Sequence, residues 1–215
     1  MPRQQTVWIT RHGNRLDFVD PSWYLSAPNP FDPPLSEDGV MQARKLGNRL
    51  KKEGIARIYS SPFLRALETA HQVAESLDLP VEIEQGASEW FNAEWFPDYP
   101  GMMPGGERCA RFPRLRAPDR SVVQPVFPES WEDMLGRTAR CIGALLEQTR
   151  DDILIVGHGA SMLGFAQALV GAEPRVNADL CALVKIVRRG GGWQMELNGD
   201  TSFLGRSFKG TTRFI

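Results

Sequence analysis

The sequence predicts an α/β fold, three-layered as α/β/α, with a mostly parallel central sheet. Short apolar strand patterns alternate with longer stretches of helical spacing, the signature of βα units. Two of the strand patterns run straight into a His beside Gly: residues 6–10 into Arg11-His12-Gly13, and residues 153–156 into Gly157-His158-Gly159. In an open parallel sheet, such loops gather beyond the carboxyl ends of the strands.

The elements follow in order. The first strand lies near 6–10, and residues 16–35 form a loop rich in Pro, Asp and aromatics. Ser36 is placed as a helix N-cap. Val40, Ala43, Leu46 and Leu50 follow at helical spacing, and Gly54 is the stop signal. Residues 56–59 make a second strand. Ser61 as N-cap and Pro62 at the first helical position open another helix, with Leu67, Ala70, Val73, Ala74 and Leu77 on its buried side. Residues 81–84 are the third strand. Ser130-Trp131-Glu132-Asp133 resembles a capping box and opens a helix with Met134, Cys141, Leu145 and Leu146 on its apolar side. Residues 153–156 read as a strand buried in a parallel sheet. Residues 162–170 form a short helix. Residues 180–187 and 193–197, joined through Arg189-Gly190-Gly191-Gly192, form a closing hairpin.

The stretch 86–129 differs from the rest. Seven of the chain's 16 Pro lie between Pro97 and Pro128. Trp90, Phe91, Trp95, Phe96 and Tyr99 crowd its first part. Arg108, Arg111, Arg114, Arg116 and Arg120 crowd its second. The expectation is one domain over 1–215 with an insertion or lid at about 86–129.

Composition narrows the classes. The 215 residues suit one domain with a sizeable core, and 42% hydrophobic content argues for a globular chain. A formal net charge of -1 gives no reason to expect nucleic acid or an anionic membrane as partner. No apolar run reaches the roughly 18 residues of a membrane span. The first ten residues lack the apolar core of a signal peptide. Cys109, Cys141 and Cys181 are odd in number and form no CxxC pair, so reduced thiols in a cytoplasmic protein are expected.

The chemistry is carried by few residues. Arg11, His12 and Arg15 leave the first strand, Arg65 lies in the first turn after the second, and His158 leaves the strand at 153–156. If those strands run parallel, three Arg and two His surround one tetrahedral oxyanion. Fixed guanidiniums stabilise the charge that phosphoryl transfer spreads over the equatorial oxygens. A neutral imidazole can attack phosphorus and form a phosphohistidine that water resolves. The leaving oxygen then needs a proton, and a carboxylic acid beside the phosphate can supply it. Glu89, after the third strand, is the candidate; Glu94 and Asp17 are weaker ones. His71 reads as structural. The aromatic cluster at 90–99 reads as packing, with a leaving-group pocket as the sharper reading. The Arg run reads as a solvated face.

RHGNR, SSPFLRALETA and VGHGA, in this order and spacing, resemble the histidine phosphatase superfamily, also called phosphoglycerate mutase-like. Asp17-Phe18, Ser22-Trp23, the run from Phe31 to Ser36, Gln42-Ala43 and Glu89-Trp90 resemble the phosphatase domain of suppressor-of-T-cell-receptor-signalling and ecdysteroid-phosphate phosphatase proteins. The resemblance implies His12 as the phosphorylated nucleophile, Arg11, Arg15, Arg65 and His158 as the phosphate pocket with Asn14 beside it, Glu89 as the acid, and no metal or other cofactor. It implies a small-molecule phosphomonoester or a phosphorylated residue as substrate, and a homodimer is compatible with it. Asn14 stands where many members carry Glu or another polar residue. The segment around Glu89 lacks the fuller acidic motif of the mutases, which favours hydrolysis over mutase action. A catalytically silent phospho-ligand-binding domain is the alternative of another class. A metallohydrolase is disfavoured, because two His without a carboxylate cluster make a poor metal site.

Overall fold

The computed structural model describes residues 4–117, 120–171 and 174–205. The chain ends expected to bound the domain lie outside the described residues. Six strands form one sheet: β1 (Thr6–Arg11), β2 (Arg57–Ser60), β3 (Val81–Ile83), β4 (Ile153–Gly157), β5 (Leu183–Arg189) and β6 (Gly192–Asp200). Their order is β3-β2-β4-β1-β5-β6. β1, β2, β3 and β4 run parallel, whereas β5 and β6 are antiparallel to their neighbours. The helices are α1 (Trp23–Ser26), α2 (Glu37–Leu50), α3 (Leu64–Leu77), α4 (Gly105–Arg111), α5 (Trp131–Gln148) and α6 (Gly159–Val170).

Strand alternation builds the three layers. Val7, Ile9, Ile153 and Ile155 face a core shared with Cys141, Leu145 and Phe165 of α5 and α6. Trp8, Ile58, Leu154 and Val156 face the opposite core, shared with Leu46 and Leu50 of α2 and Ala70 and Val73 of α3. β4 sits between β2 and β1, so residues on both its faces are sealed from water, and Ile153 to Val156 are each 0% exposed. This is why its sequence is continuously apolar rather than alternating.

The helix caps follow the expectation in two places and depart from it in one. Ser36 Oγ accepts from Gly39 N–H at 3.1 Å and starts α2; α2 ends at Leu50, and Gly54, expected as the stop signal, follows at positive φ. Ser130 Oγ accepts from Asp133 N–H at 3.1 Å, and Asp133 Oδ2 accepts from Ser130 N–H at 3.0 Å, a reciprocal capping box on α5. Ser61, expected to cap the helix after β2 with Pro62 as its first residue, does not. α3 starts at Leu64, whose N–H donates to Asp32 Oδ1 at 2.7 Å. The Ser61 hydroxyl is engaged elsewhere.

Among the described residues, the stretch 86–129 contains a helix that periodicity did not reveal, α4, only seven residues long. Three residues of its Arg run are ion-paired along the outer surface. Arg111 meets Glu68 at 2.5 Å, Arg114 meets Asp78 at 2.9 Å, and Arg116 meets Glu82 at 3.7 Å. Exposed pairs of this kind contribute little each. Beneath them, Leu115 bridges to Val81 at the sheet edge, and buried Glu84 accepts from Val122 N–H at 2.8 Å. His71, expected to be structural, packs edge-on against Phe112. Cys109 is exposed, and Cys141 and Cys181 are buried; all three are free thiols. Among the described residues no helix is long and apolar enough to cross a membrane.

Candidate active site

Parallel pairing of β1 with β4 aligns Arg11 with Gly157, and His12 N–H donates to Gly157 O at 3.0 Å. His12 and His158 therefore leave neighbouring strands at one edge. Their rings meet edge to face, centroids 5.3 Å apart. Both are 0% exposed. The turn after His12 is fixed by close backbone packing. A Cβ on Gly13 would stand 2.6 Å from Gly39 O, and one on Gly39 would stand 2.1 Å from Asn14 O. Gly13 N–H donates to Thr69 Oγ1 at 3.0 Å, and Ser36 N–H donates to Asn14 O at 2.9 Å.

The His12 ring has a defined orientation. Its Nδ1 lies 2.8 Å from Gly13 O. A carbonyl can only accept, so Nδ1 carries the proton and Nε2 presents a lone pair. Among the described residues Nε2 has no hydrogen-bond partner. Burial, then the charges of Arg65 and Arg11, hold the imidazole well below the usual histidine range, so the ring is neutral.

His158 is neutral for the same leading reason, burial, followed by Arg65 and His12. Its Nε2 lies 2.8 Å from Ser61 Oγ, which also accepts weakly from Phe63 N–H at 3.4 Å. On its other side Nδ1 lies 3.4 Å from Glu89 Oε2. A carboxylate oxygen opposite Nδ1 suits a tautomer with the proton there and the Ser61 hydroxyl donating to Nε2. His158 N–H donates to Ser161 Oγ at 2.9 Å, which anchors the start of α6.

Arg65 is fully buried at the start of α3, its guanidinium 4.6 Å from the centre of the Phe63 ring. Its Nη2 lies 3.8 Å from Glu89 Oε2 and its Nη1 3.9 Å from Asp32 Oδ1. Those distances exceed hydrogen bonds, and its Nε and Nη1 have no hydrogen-bond partner among the described residues. Burial, then Arg15, lowers its pKa to about 10. A buried guanidinium with unmet donors is costly unless an acceptor joins it. Arg11 is buried too, with Nη1 donating to Ala178 O at 2.8 Å.

Glu89 follows β3 through a short 3-10 turn, Gln85–Ala87. It lines a cleft of about 60 Å³ together with Arg15, Arg65, Tyr24, Phe31, Trp95 and Phe96. The aromatic cluster thus divides its work. Trp95 and Phe96 line the cleft, whereas Trp90 packs against Trp95 and Trp131.

The other expected residues are placed as follows. Arg15 lines the cleft, but Nε donates to Asp17 Oδ1 at 2.9 Å and Nη2 donates to Asp17 Oδ2, so Asp17 is its counter-ion. Glu94 is exposed and outside the lining of the cleft. Asn14 works through its backbone, its N–H donating to Gln42 Oε1 at 2.8 Å. Among the described residues no group of three or more His, Cys, Asp or Glu side chains is arranged to hold a metal ion.

Several residues of the site were not foreseen. Ser61 holds His158, Asp32 stands beside Arg65, and Arg137 and Glu129 underlie Glu89. Burial raises the Asp32 carboxyl to about 6, against the opposing charge of Arg65. A charged Arg137 on the same helical stripe as Met134 and Cys141 was the available signal.

Comparison with known proteins shows the family and the fold. The family model of the histidine phosphatase superfamily (branch 1) matches residues 7–201. The Transcription factor tau 55 kDa subunit of Saccharomyces cerevisiae is 29% identical over 192 residues, covering 81% of this chain and 43% of that protein. The Ecdysteroid-phosphate phosphatase of Drosophila melanogaster is 26% identical over 242 residues, covering 90% of this chain and 32% of that protein. The chain thus spans under half the length of these relatives. The crystal structure of the ecdysone phosphate phosphatase from Bombix mori in complex with tungstate superposes with a TM-score of 0.76 at 20% identity, covering 89% of this chain and 91% of that one. The fold is phosphoglycerate mutase-like.

Proposed function

Because the chain belongs to the histidine phosphatase superfamily, we propose that it is a metal-independent phosphatase that hydrolyses phosphomonoesters through a phosphohistidine at His12. The observation that carries the reading is the His12 ring: buried, neutral, pinned at Nδ1 by Gly13 O, and with a free lone pair at Nε2.

The phosphoryl group takes the place that Glu89 Oε2 now holds against Arg65 and His158. Unmet donors of Arg65, with Arg11, Arg15 and His158 Nδ1–H, stabilise its equatorial oxygens. His12 Nε2 attacks phosphorus as the ester P–O bond breaks. Glu89, the acid of this step, gives a proton to the leaving oxygen. Water then attacks the phosphohistidine, Glu89 takes the water proton, and the P–N bond breaks to release phosphate and restore His12.

Tyr24, Phe31, Trp95 and Phe96, which line the same cleft as Arg65 and Glu89, favour a leaving group with a flat or bulky apolar body. A small-molecule ester or a phosphorylated residue presented by a partner both fit its charged side chains. The test is a panel of aryl and alkyl phosphomonoesters, with and without EDTA, on wild type and His12→Ala. Turnover that resists EDTA and vanishes in His12→Ala supports the reading. Turnover that survives His12→Ala, or that EDTA abolishes, defeats it. Phosphate binding without turnover across the panel favours the silent binding domain.

A further inference from the structure

We infer that Arg137 and Glu129, which touch neither the cleft nor a reacting atom, are positioning residues for the proton donor Glu89. Arg137 lies on α5 and its side chain is 1% exposed. Its donors are all used. Nε donates to Glu129 Oε1 at 2.6 Å and Nη2 to Glu129 Oε2 at 2.8 Å, a bidentate pair. Nη1 donates to Gly86 O at 2.8 Å and Ser88 O at 3.2 Å, and Nη2 also donates to Glu89 O at 2.9 Å. Five N–H groups thus meet five acceptors, the whole capacity of a guanidinium.

Three of those acceptors are backbone carbonyls of the turn that presents Glu89. Glu129 holds the other side of the same turn. Its Oε2 accepts from Phe91 N–H at 3.3 Å, and its own backbone N–H donates to Phe91 O at 2.9 Å. Its carbonyl accepts from Trp90 Nε1 at 3.0 Å. The capping box at Ser130 sits between the two partners and fixes Glu129 against the start of the helix that carries Arg137. The turn is irregular backbone with few ladder bonds of its own, so this pair replaces what a strand or helix would supply. The chain fits a single planar fork here, because carbonyls of 86, 88 and 89 point at one spot. An ammonium would reach only part of the set.

The consequence concerns the acid step. The Glu89 carboxyl must stand within hydrogen-bond reach of the leaving oxygen, and small misplacements lose much of a proton donor's effect. The role rests on the proposed reading of Glu89 as the acid. The experiment therefore compares leaving groups. p-Nitrophenolate departs with little protonic help, whereas an alkoxide needs it. The quantity read is kcat/KM, which ends at phosphorylation of the enzyme, for p-nitrophenyl phosphate and for 2-glycerophosphate. Wild type, Glu89→Gln, Arg137→Lys and Glu129→Gln are measured together, with thermal unfolding of each.

Glu89→Gln is expected to lose roughly a hundredfold on 2-glycerophosphate and far less on p-nitrophenyl phosphate. Arg137→Lys and Glu129→Gln are expected to shift the ratio in the same direction, by roughly tenfold, in protein that remains folded. A fall on both substrates by the same factor would show a merely structural pair and overturn the positioning role. If Glu89→Gln itself leaves the ratio unchanged, the acid assignment fails and the positioning role falls with it.

Discussion

The Ser61 hydroxyl lies 2.8 Å from Nε2 of His158 and thereby turns Nδ1 of that ring toward Glu89 and the cleft. The position looks like a helix cap in the sequence, yet its partner follows the neighbouring strand, β4. Ser61→Ala removes the group that selects the His158 tautomer. A neutral hydrogen bond of this kind is worth about 1 kcal/mol. The expected result is a fall in kcat/KM of roughly fivefold to tenfold on p-nitrophenyl phosphate. Imidazole nitrogen shifts of His158 should show mixed tautomers. An unchanged spectrum would remove Ser61 from the mechanism.

Among the described residues, nothing meets the buried Nε and Nη1 donors of Arg65, so its charge and its fork both matter. Arg65→Lys keeps the charge and loses the fork. It should lower kcat/KM by about a hundredfold, within the range seen when a fixed transition-state donor is removed. Inhibition by inorganic phosphate should weaken in parallel. Wild-type kinetics in the lysine variant would show that Arg65 is a packing residue held over Phe63.

His12 and His158 are held neutral by burial, and this has a consequence for stability. The native state declines protons that the unfolded chain takes up below its ordinary histidine pKa, near 6.5. Unfolded protein then binds more protons than native, so stability falls as pH drops through that value. Between pH 7 and pH 5 each ring contributes a loss of up to about 2 kcal/mol. Urea unfolding of His158→Asn should lose that much less stability than wild type over the same interval. Equal losses in the two proteins would mean that His158 titrates normally in the fold.

The turn after His12 tolerates no side chain at Gly39, where a Cβ would stand 2.1 Å from Asn14 O. The clash is with backbone, which cannot swing aside. Gly39→Ala should destabilise the protein by about 3 kcal/mol or more and reduce activity through displacement of His12. A melting temperature within a degree or so of wild type would show that β1 and α2 can separate without harm.

Much of the fold was legible because local and long-range demands agree there. Residues 153–156 are apolar because both faces of β4 are covered, and Ser36 and Ser130 cap helices through partners three residues away. His12 and His158 could be brought together on paper once their strands were read as parallel. What was not legible depends on tertiary partners. Ser61 is taken from its helix by His158, and Asp32 supplies the cap from 32 residues upstream. Arg137 meets carbonyls of a turn some fifty residues earlier, and backbone carbonyls leave no trace in sequence. The α4 helix is short, with no buried residue, so it has no apolar stripe to read.

The central claim is that His12 becomes phosphorylated during turnover. The most direct measurement is intact-protein mass after a millisecond mix with p-nitrophenyl phosphate and an alkaline quench, which preserves phosphohistidine. Wild type should gain the mass of one phosphoryl group, mapped by fragmentation to His12 and lost on brief acid treatment, and His12→Ala should gain none. Turnover with no phosphoryl adduct in wild type, or an adduct that persists in His12→Ala, would contradict the account.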